Sequence, residues 1–207
     1  YDSSDLDELE SRNFLNLISD ISSFDLVLVA DYGHGVMVDN IREEIVNRAK
    51  YLSVNTQANA GNRGFNTISK YKKANFFALN SGELQLELRN RNPDYKSVVP
   101  RIMKSMNSQT CILTLGGSGL LVFDEKEYIH SPAIALRVID KVGAGDSVFA
   151  CASLFSSVSM PIHLIGLICN LVAAHEVNQL GHRIPVDPNS VLEQLSRLFG
   201  QISERLE

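Results

Sequence analysis

The segment Gly143-Ala144-Gly145-Asp146 places two glycines and a carboxylate immediately before an apolar run patterned as a helix. Glycines let backbone N–H groups approach a ligand closely, and a helix N-terminus offers amides without intrahelical partners at the positive end of the peptide dipoles. An anion is stabilised in such a place. If the anion is a phosphoryl group, Asp146 can take the proton of an attacking hydroxyl, and the chemistry is phosphoryl transfer. The same four residues also make an ordinary Gly-rich turn with Asp146 as a helix cap, and the tetrapeptide alone does not separate the two readings.

Three further groups share this character. Thr114-Leu115-Gly116-Gly117-Ser118-Gly119 offers a hydroxyl and glycines that phosphates can approach, or simply a tight turn. Asn80-Ser81-Gly82-Glu83 sets an amide and a carboxylate three residues apart on a first helical turn, where both can face one ligand or where Ser81 and Glu83 can serve as ordinary capping residues. Ala30-Asp31-Tyr32-Gly33-His34-Gly35 suits a loop beside a substrate cleft.

The elements that must carry these groups are legible from periodicity. Leu6, Leu9, Phe14, Leu17, Ile18 and Ile21 recur at helical spacing, and the run 24–30 reads as a buried strand. A helix over 39–50, capped by Asp39, leads to a strand over 52–55. Residues 56–66 form a polar loop, where Arg63 reads as a surface charge, followed by a strand over 74–79 and a helix capped by Ser81. A helix over 95–106, started or kinked by Pro100, precedes a strand over 110–115. Runs 119–123 and 127–130 predict an antiparallel hairpin, and helices over 147–158, 162–179 and 191–205 complete the chain, with Pro161 in a first turn and Gly181 as a stop. Alternating strand and helix argues for a mostly parallel α/β sheet covered on both faces, whose ligands bind outside the strands' carboxyl ends. Each group above falls at such an end.

Composition narrows the function. Nineteen basic against 24 acidic residues give a net charge of −5 with no basic stripe or tail, which disfavours nucleic acid as a partner. Cys111, Cys151 and Cys169 lie in apolar runs without C-x-x-C spacing and read as buried reduced thiols, so a cytoplasmic protein is expected. No uncharged apolar segment reaches membrane-spanning length. The chain begins without Met or a signal-like leader and reads as a piece of something longer, with residues 1–207 a single α/β domain. A dinucleotide-dependent dehydrogenase is a competing reading of the strand–helix alternation, but no G-x-G-x-x-G follows the first strand.

The stretch Asp140-Lys141-Val142-Gly143-Ala144-Gly145-Asp146-Ser147 resembles the C-terminal signature of the PfkB/ribokinase family of carbohydrate kinases. Thr114, Gly116 and Gly119 match that family's T-x-G-x-x-G element, and Asn80 and Glu83 its N-x-x-E motif. The resemblance implies a three-layer αβα ribokinase-like sheet with an antiparallel edge hairpin, here without the family's N-terminal strands and lid. It implies Asp146 as catalytic base, Gly143, Ala144 and Gly145 as anion hole, and nucleotide binding at Thr114, Gly116 and Gly119. It further implies Asn80 and Glu83 positioning Mg²⁺ and phosphates, largely through water, and Asn170 near the adenine of ATP. Asp31-Tyr32-Gly33-His34-Gly35 is similar to the Asp-Tyr-x-Lys-Gly segment of the heptose-phosphate kinase half of ADP-heptose synthases, which places Asp31 and His34 on the substrate side. The chain departs from the pattern at Lys141 and Val142, where hydroxyl residues are usual. It departs again at His34, where that branch has lysine, and at Asn55-Thr56-Gln57, where it has Asp-Pro-Lys. These departures motivate a second expectation, a nucleotide- or sugar-phosphate-sensing module that has lost catalysis. The family also implies a homodimer of the full-length protein and leaves room for a fused nucleotidyltransferase domain.

Overall fold

A computed structural model describes residues 4–62, 64–135, 137–180 and 184–206. Arg63 and Gly181 therefore lie outside the described residues. Helix α1 (Glu8–Leu17) leads through a short 3-10 turn to strand β1 (Val27–Asp31), helix α2 (Asp39–Arg48) and strand β2 (Leu52–Thr56). Strand β3 (Phe76–Asn80) passes directly into helix α3 (Ser81–Leu88), and helix α4 (Tyr95–Met106) precedes strand β4 (Thr110–Thr114). Strands β5 (Leu120–Asp124) and β6 (Tyr128–Ser131) form a hairpin, after which helices α5 (Ala144–Ser157), α6 (Ile162–Val177) and α7 (Pro188–Leu206) follow.

The six strands form one sheet in sequence order, β1 to β4 parallel and β5 and β6 antiparallel. Strands β2, β3 and β4 are buried through most of their length, as a sheet covered on both faces requires, and β3 and β4 are mostly apolar. One face packs Ile41 and Ile45 of α2 and Val99, Met103 and Met106 of α4 against Val29, Val54, Phe77 and Leu113. The other packs Val148, Phe149 and Ala152 of α5 and Ile162, Ile165 and Cys169 of α6 against Phe76, Ala78, Ile112 and Val122. The result is a three-layer αβα arrangement with an antiparallel edge. Parallel register aligns the strand ends: Asp31 lies opposite Thr56, and Asn80 opposite Thr114.

Several local expectations need correction. Asp39 does not cap α2: Val38 occupies the cap position, and Asp39 opens the helix paired with Arg42, an acid still well placed in a first turn. Ser81 does not cap α3, because β3 runs one residue further and Asn80 becomes the cap. Pro100 does not start α4. It sits inside the helix on the solvent face, where water can satisfy the carbonyl its ring leaves unpaired. Pro161 precedes the first turn of α6 as its cap residue rather than lying within it. Helix α5 begins at Ala144, three residues before the expected start, so Gly145 and Asp146 belong to its first turn. All three cysteines are free thiols, but Cys151 on α5 is only half-buried.

Candidate functional site

The carboxyl ends of β2, β3 and β4 and the start of α5 converge on one cleft. A cavity of about 170 Å³ there is lined by Asn55, Gln57, Asn80, Glu83, Thr114, Gly143, Gly145 and Asp146, with Ala78 and Leu79 at its floor. Sequence positions more than a hundred residues apart, such as Tyr32 and Asp146, come within hydrogen-bonding reach.

Gly143 adopts φ 78°, in the left-handed region that glycine enters without steric cost, and Gly143, Gly145 and Asp146 at this turn line the cleft. The first i→i−4 bond in this turn runs from the Ser147 amide to the Gly143 carbonyl at 3.1 Å, so the amides of Ala144, Gly145 and Asp146 precede it. No side chain caps this end. Beyond the backbones of Gly116, Gly117 and Gly145 the space a Cβ would point into is open, as close approach by a phosphate requires.

Asp146 is not a helix cap. It is half-buried at the third position of α5, and its carboxylate is held across the cleft: the Tyr32 hydroxyl donates to Oδ2 at 3.2 Å and the Gln57 amide to Oδ1. Burial, then the Asp146 charge and this hydrogen bond, push the Tyr32 phenol above its ordinary range.

Asn80 and Glu83 form a reciprocal capping box, the Glu83 amide donating to Asn80 Oδ1 at 2.8 Å and the Asn80 amide to Glu83 Oε2 at 2.7 Å. Glu83 Oε1 also accepts from the Ala58 amide at 3.4 Å. Burial pushes the Glu83 carboxyl above its ordinary range; the two backbone donors oppose this, and the Asp146 charge adds to it.

Thr114 lines the same cleft beside Asn80, whereas Gly116 and Gly119 stand in the turn between β4 and β5. Gly119, at φ 89°, has no room for a side chain, because a Cβ would overlap the Ser131 carbonyl. Asn170, buried on α6, donates to that same Ser131 carbonyl at 3.0 Å and to the Ser131 hydroxyl at 2.6 Å, so Gly119 and Asn170 meet at the end of β6, outside the Asp146 cavity.

Asp31 lies outside that cavity too. Its carboxylate is buried, paired with Lys70 at 2.6 Å and accepting from the Tyr71 hydroxyl at 2.6 Å and the Gly33 amide at 2.9 Å, beside a larger open cavity of about 760 Å³. Burial, followed by the Asp31 charge, pushes the Tyr71 phenol far up. His34 is exposed, its ring parallel to that of Tyr32 at 6.3 Å between centroids.

Neither Tyr32 nor Gln57 stands out in the sequence as a partner of Asp146, although five amide side chains within residues 55–66 signal a loop built to make specific hydrogen bonds. Among the described residues no cluster of three or more His, Cys, Asp or Glu could hold a metal by itself.

The model of the pfkB family carbohydrate kinases matches residues 1–187. The chain belongs to the pfkB family. Among its relatives, the bifunctional protein HldE of Campylobacter curvus is 30% identical over 177 residues, and that of Wolinella succinogenes 29% identical over 179. Each alignment covers 84% of this chain and 37% of the relative, so the chain spans little more than a third of these proteins' length. Phosphofructokinase-2 from Escherichia coli in complex with potassium superposes with a TM-score of 0.74 at 16% identity, covering 91% of this chain and 62% of that one. Arabidopsis thaliana ribokinase with ribose and ATP superposes with a TM-score of 0.69 at 17% identity, covering 86% and 58%. The pfkB chain thus has the ribokinase-like fold expected of it, and family membership displaces the dehydrogenase reading.

Proposed function

We propose that this chain carries the phosphate-binding and proton-accepting part of an ATP-dependent kinase acting on a hydroxyl of a sugar or sugar phosphate. The observation that carries the reading is the convergence of Asp146, the first turn of α5 and the carboxyl ends of β2, β3 and β4 on one cleft. In the proposed reaction Asp146 accepts the proton of the acceptor hydroxyl while its oxygen bonds to the terminal phosphorus of ATP. The bond from that phosphorus to the bridging oxygen breaks, and ADP leaves with the electron pair. The anion hole of Gly143, Ala144 and Gly145 offsets the charge that builds on the transferred group.

ATP lies along Thr114, Gly116 and Gly119 in this reading, with Asn170 on the adenine side and Asp31 and His34 toward the sugar. Mg²⁺ fits the donor set, because a carboxyl buried beside a second carboxylate gains from a divalent cation, and Mg²⁺ is commonly held by one or two carboxylates with retained waters. Glu83 and Asn80 would hold it through water, and when bound it neutralises phosphate charge. Free thiols favour a cytoplasmic location, and no described helix is long and apolar enough to cross a membrane. We further propose a nucleotidyltransferase fused in the full-length protein, the relatives being bifunctional, and a homodimer.

A sensing module without turnover is the second reading, favoured by Lys141, Val142, His34 and Asn55, which stand where the family pattern has other residues. Assaying the full-length protein against a panel of sugars and sugar phosphates separates them. The kinase reading expects turnover that Asp146→Asn lowers by about 10²- to 10⁴-fold with ATP binding intact. ATP binding with no turnover on any acceptor supports the sensor, and an Asp146→Asn variant as fast as wild type refutes Asp146 as base.

A further inference from the structure

The geometry points to Tyr32 and Gln57 as positioning residues for Asp146, locked to each other by the asparagine side chains of the loop after β2. This rests on the reading of Asp146 as the base. No cap hydrogen bond orients that carboxylate within its own helix; the orienting contacts come from across the cleft. One oxygen accepts from the Tyr32 hydroxyl and the other from the Gln57 amide, so rotation of the carboxylate plane breaks both bonds. Each oxygen has a second lone-pair site. The carboxylate can therefore be held in place and still accept a proton from a substrate hydroxyl.

The two donors stand just beyond the ends of adjacent parallel strands, where Asp31 pairs with Thr56. Three asparagines fix their spacing. Asn62 Nδ2 donates to the carbonyl of Tyr32 and, at 3.1 Å, to that of Gln57. Asn66 Nδ2 bridges the carbonyls of Asp31 at 2.7 Å and Gln57 at 3.0 Å, and Asn59 Nδ2 grips the Tyr32 carbonyl again at 2.8 Å. The Gln57 backbone N–H closes the set by donating to the Asp31 carbonyl at 2.8 Å. Asp31 is itself pinned by Lys70 and Tyr71, so Tyr32 is anchored on both sides. So many bonds converging on two short backbone segments make a rigid mount, and their only side chains that reach the base are those of Tyr32 and Gln57. A misplacement of about 1 Å at a reacting group can cost about a hundredfold in rate.

The test uses the full-length protein with ATP and the sugar or sugar phosphate it turns over. Tyr32→Phe and Gln57→Met each remove one donor at nearly constant volume. Each is expected to lower kcat by about 10- to 100-fold with KM for ATP within about twofold, the signature of an interaction needed for the chemical step rather than for binding. Turnover within about twofold of wild type in both variants, where Asp146→Asn is inactive, overturns the positioning role and leaves the base assignment intact. Full activity of Asp146→Asn removes the base reading and this inference with it. A second measurement does not depend on turnover: the thermal midpoints of Tyr32→Phe, Asp146→Ala and the double variant form a cycle. A double variant that loses less than the sum of the singles supports the contact, and strict additivity overturns it.

Discussion

Glu83 closes the capping box of α3 with one oxygen and is buried near a second carboxylate, Asp146. Its carboxyl is pushed above the ordinary value of 4.5, mainly by desolvation. A carboxyl with a raised folded-state value binds its proton before the unfolded chain does, so stability falls as pH rises from about 4.5 through the folded value. Glu83→Gln keeps an acceptor for the cap and removes the charge. The variant is expected to gain thermal stability relative to wild type at pH 7 and to lose that advantage at pH 4; equal differences at both would show that the buried charge carries no cost. At this scale the sequence marks Glu83 and Asp146 as candidates by spacing. The burial that shifts one and the donors that hold the other come from residues far away in the chain, and no spacing rule reports them.

The turn between β4 and β5 shows how an element sets what its glycines do. Gly116 and Gly119 both have positive φ, but a Cβ on Gly116 points into open space, while one on Gly119 overlaps the Ser131 carbonyl at the end of β6. Gly116→Ala carries only the backbone penalty, about 1–2 kcal/mol. Gly119→Ala must also push β6 away and disturb the Asn170 bonds to Ser131, so its loss in denaturant titration is expected to exceed that of Gly116→Ala by a clear margin. Equal losses would mean that the hairpin yields freely. The T-x-G-x-x-G spacing is visible in the sequence, but the two glycines look alike there. Their difference comes from β6 folding back over one of them.

Across the whole molecule, the sheet ends on one side at β1, which among the described strands pairs only with β2. Leu28 on that strand is 41% exposed, and an unpaired apolar strand edge templates association with other chains. The 207-residue chain alone is expected to show concentration-dependent mass in sedimentation, relieved by Leu28→Lys; a monomer at all concentrations would show that the edge is protected. The strand–helix alternation, the hairpin and the glycine-bearing turns follow from the sequence, because periodicity and turn chemistry are local properties that side-chain types encode directly. Parallel pairing supplies what locality cannot. It sets the ends of β1, β2, β3 and β4 side by side, brings Tyr32 and Gln57 to opposite oxygens of Asp146, and commits Asp31 to Lys70 and Tyr71. These side-chain contacts cross 39 to 114 positions of chain, their partners are chosen by the register of the sheet and the path of the loops, and only the tertiary structure decides them.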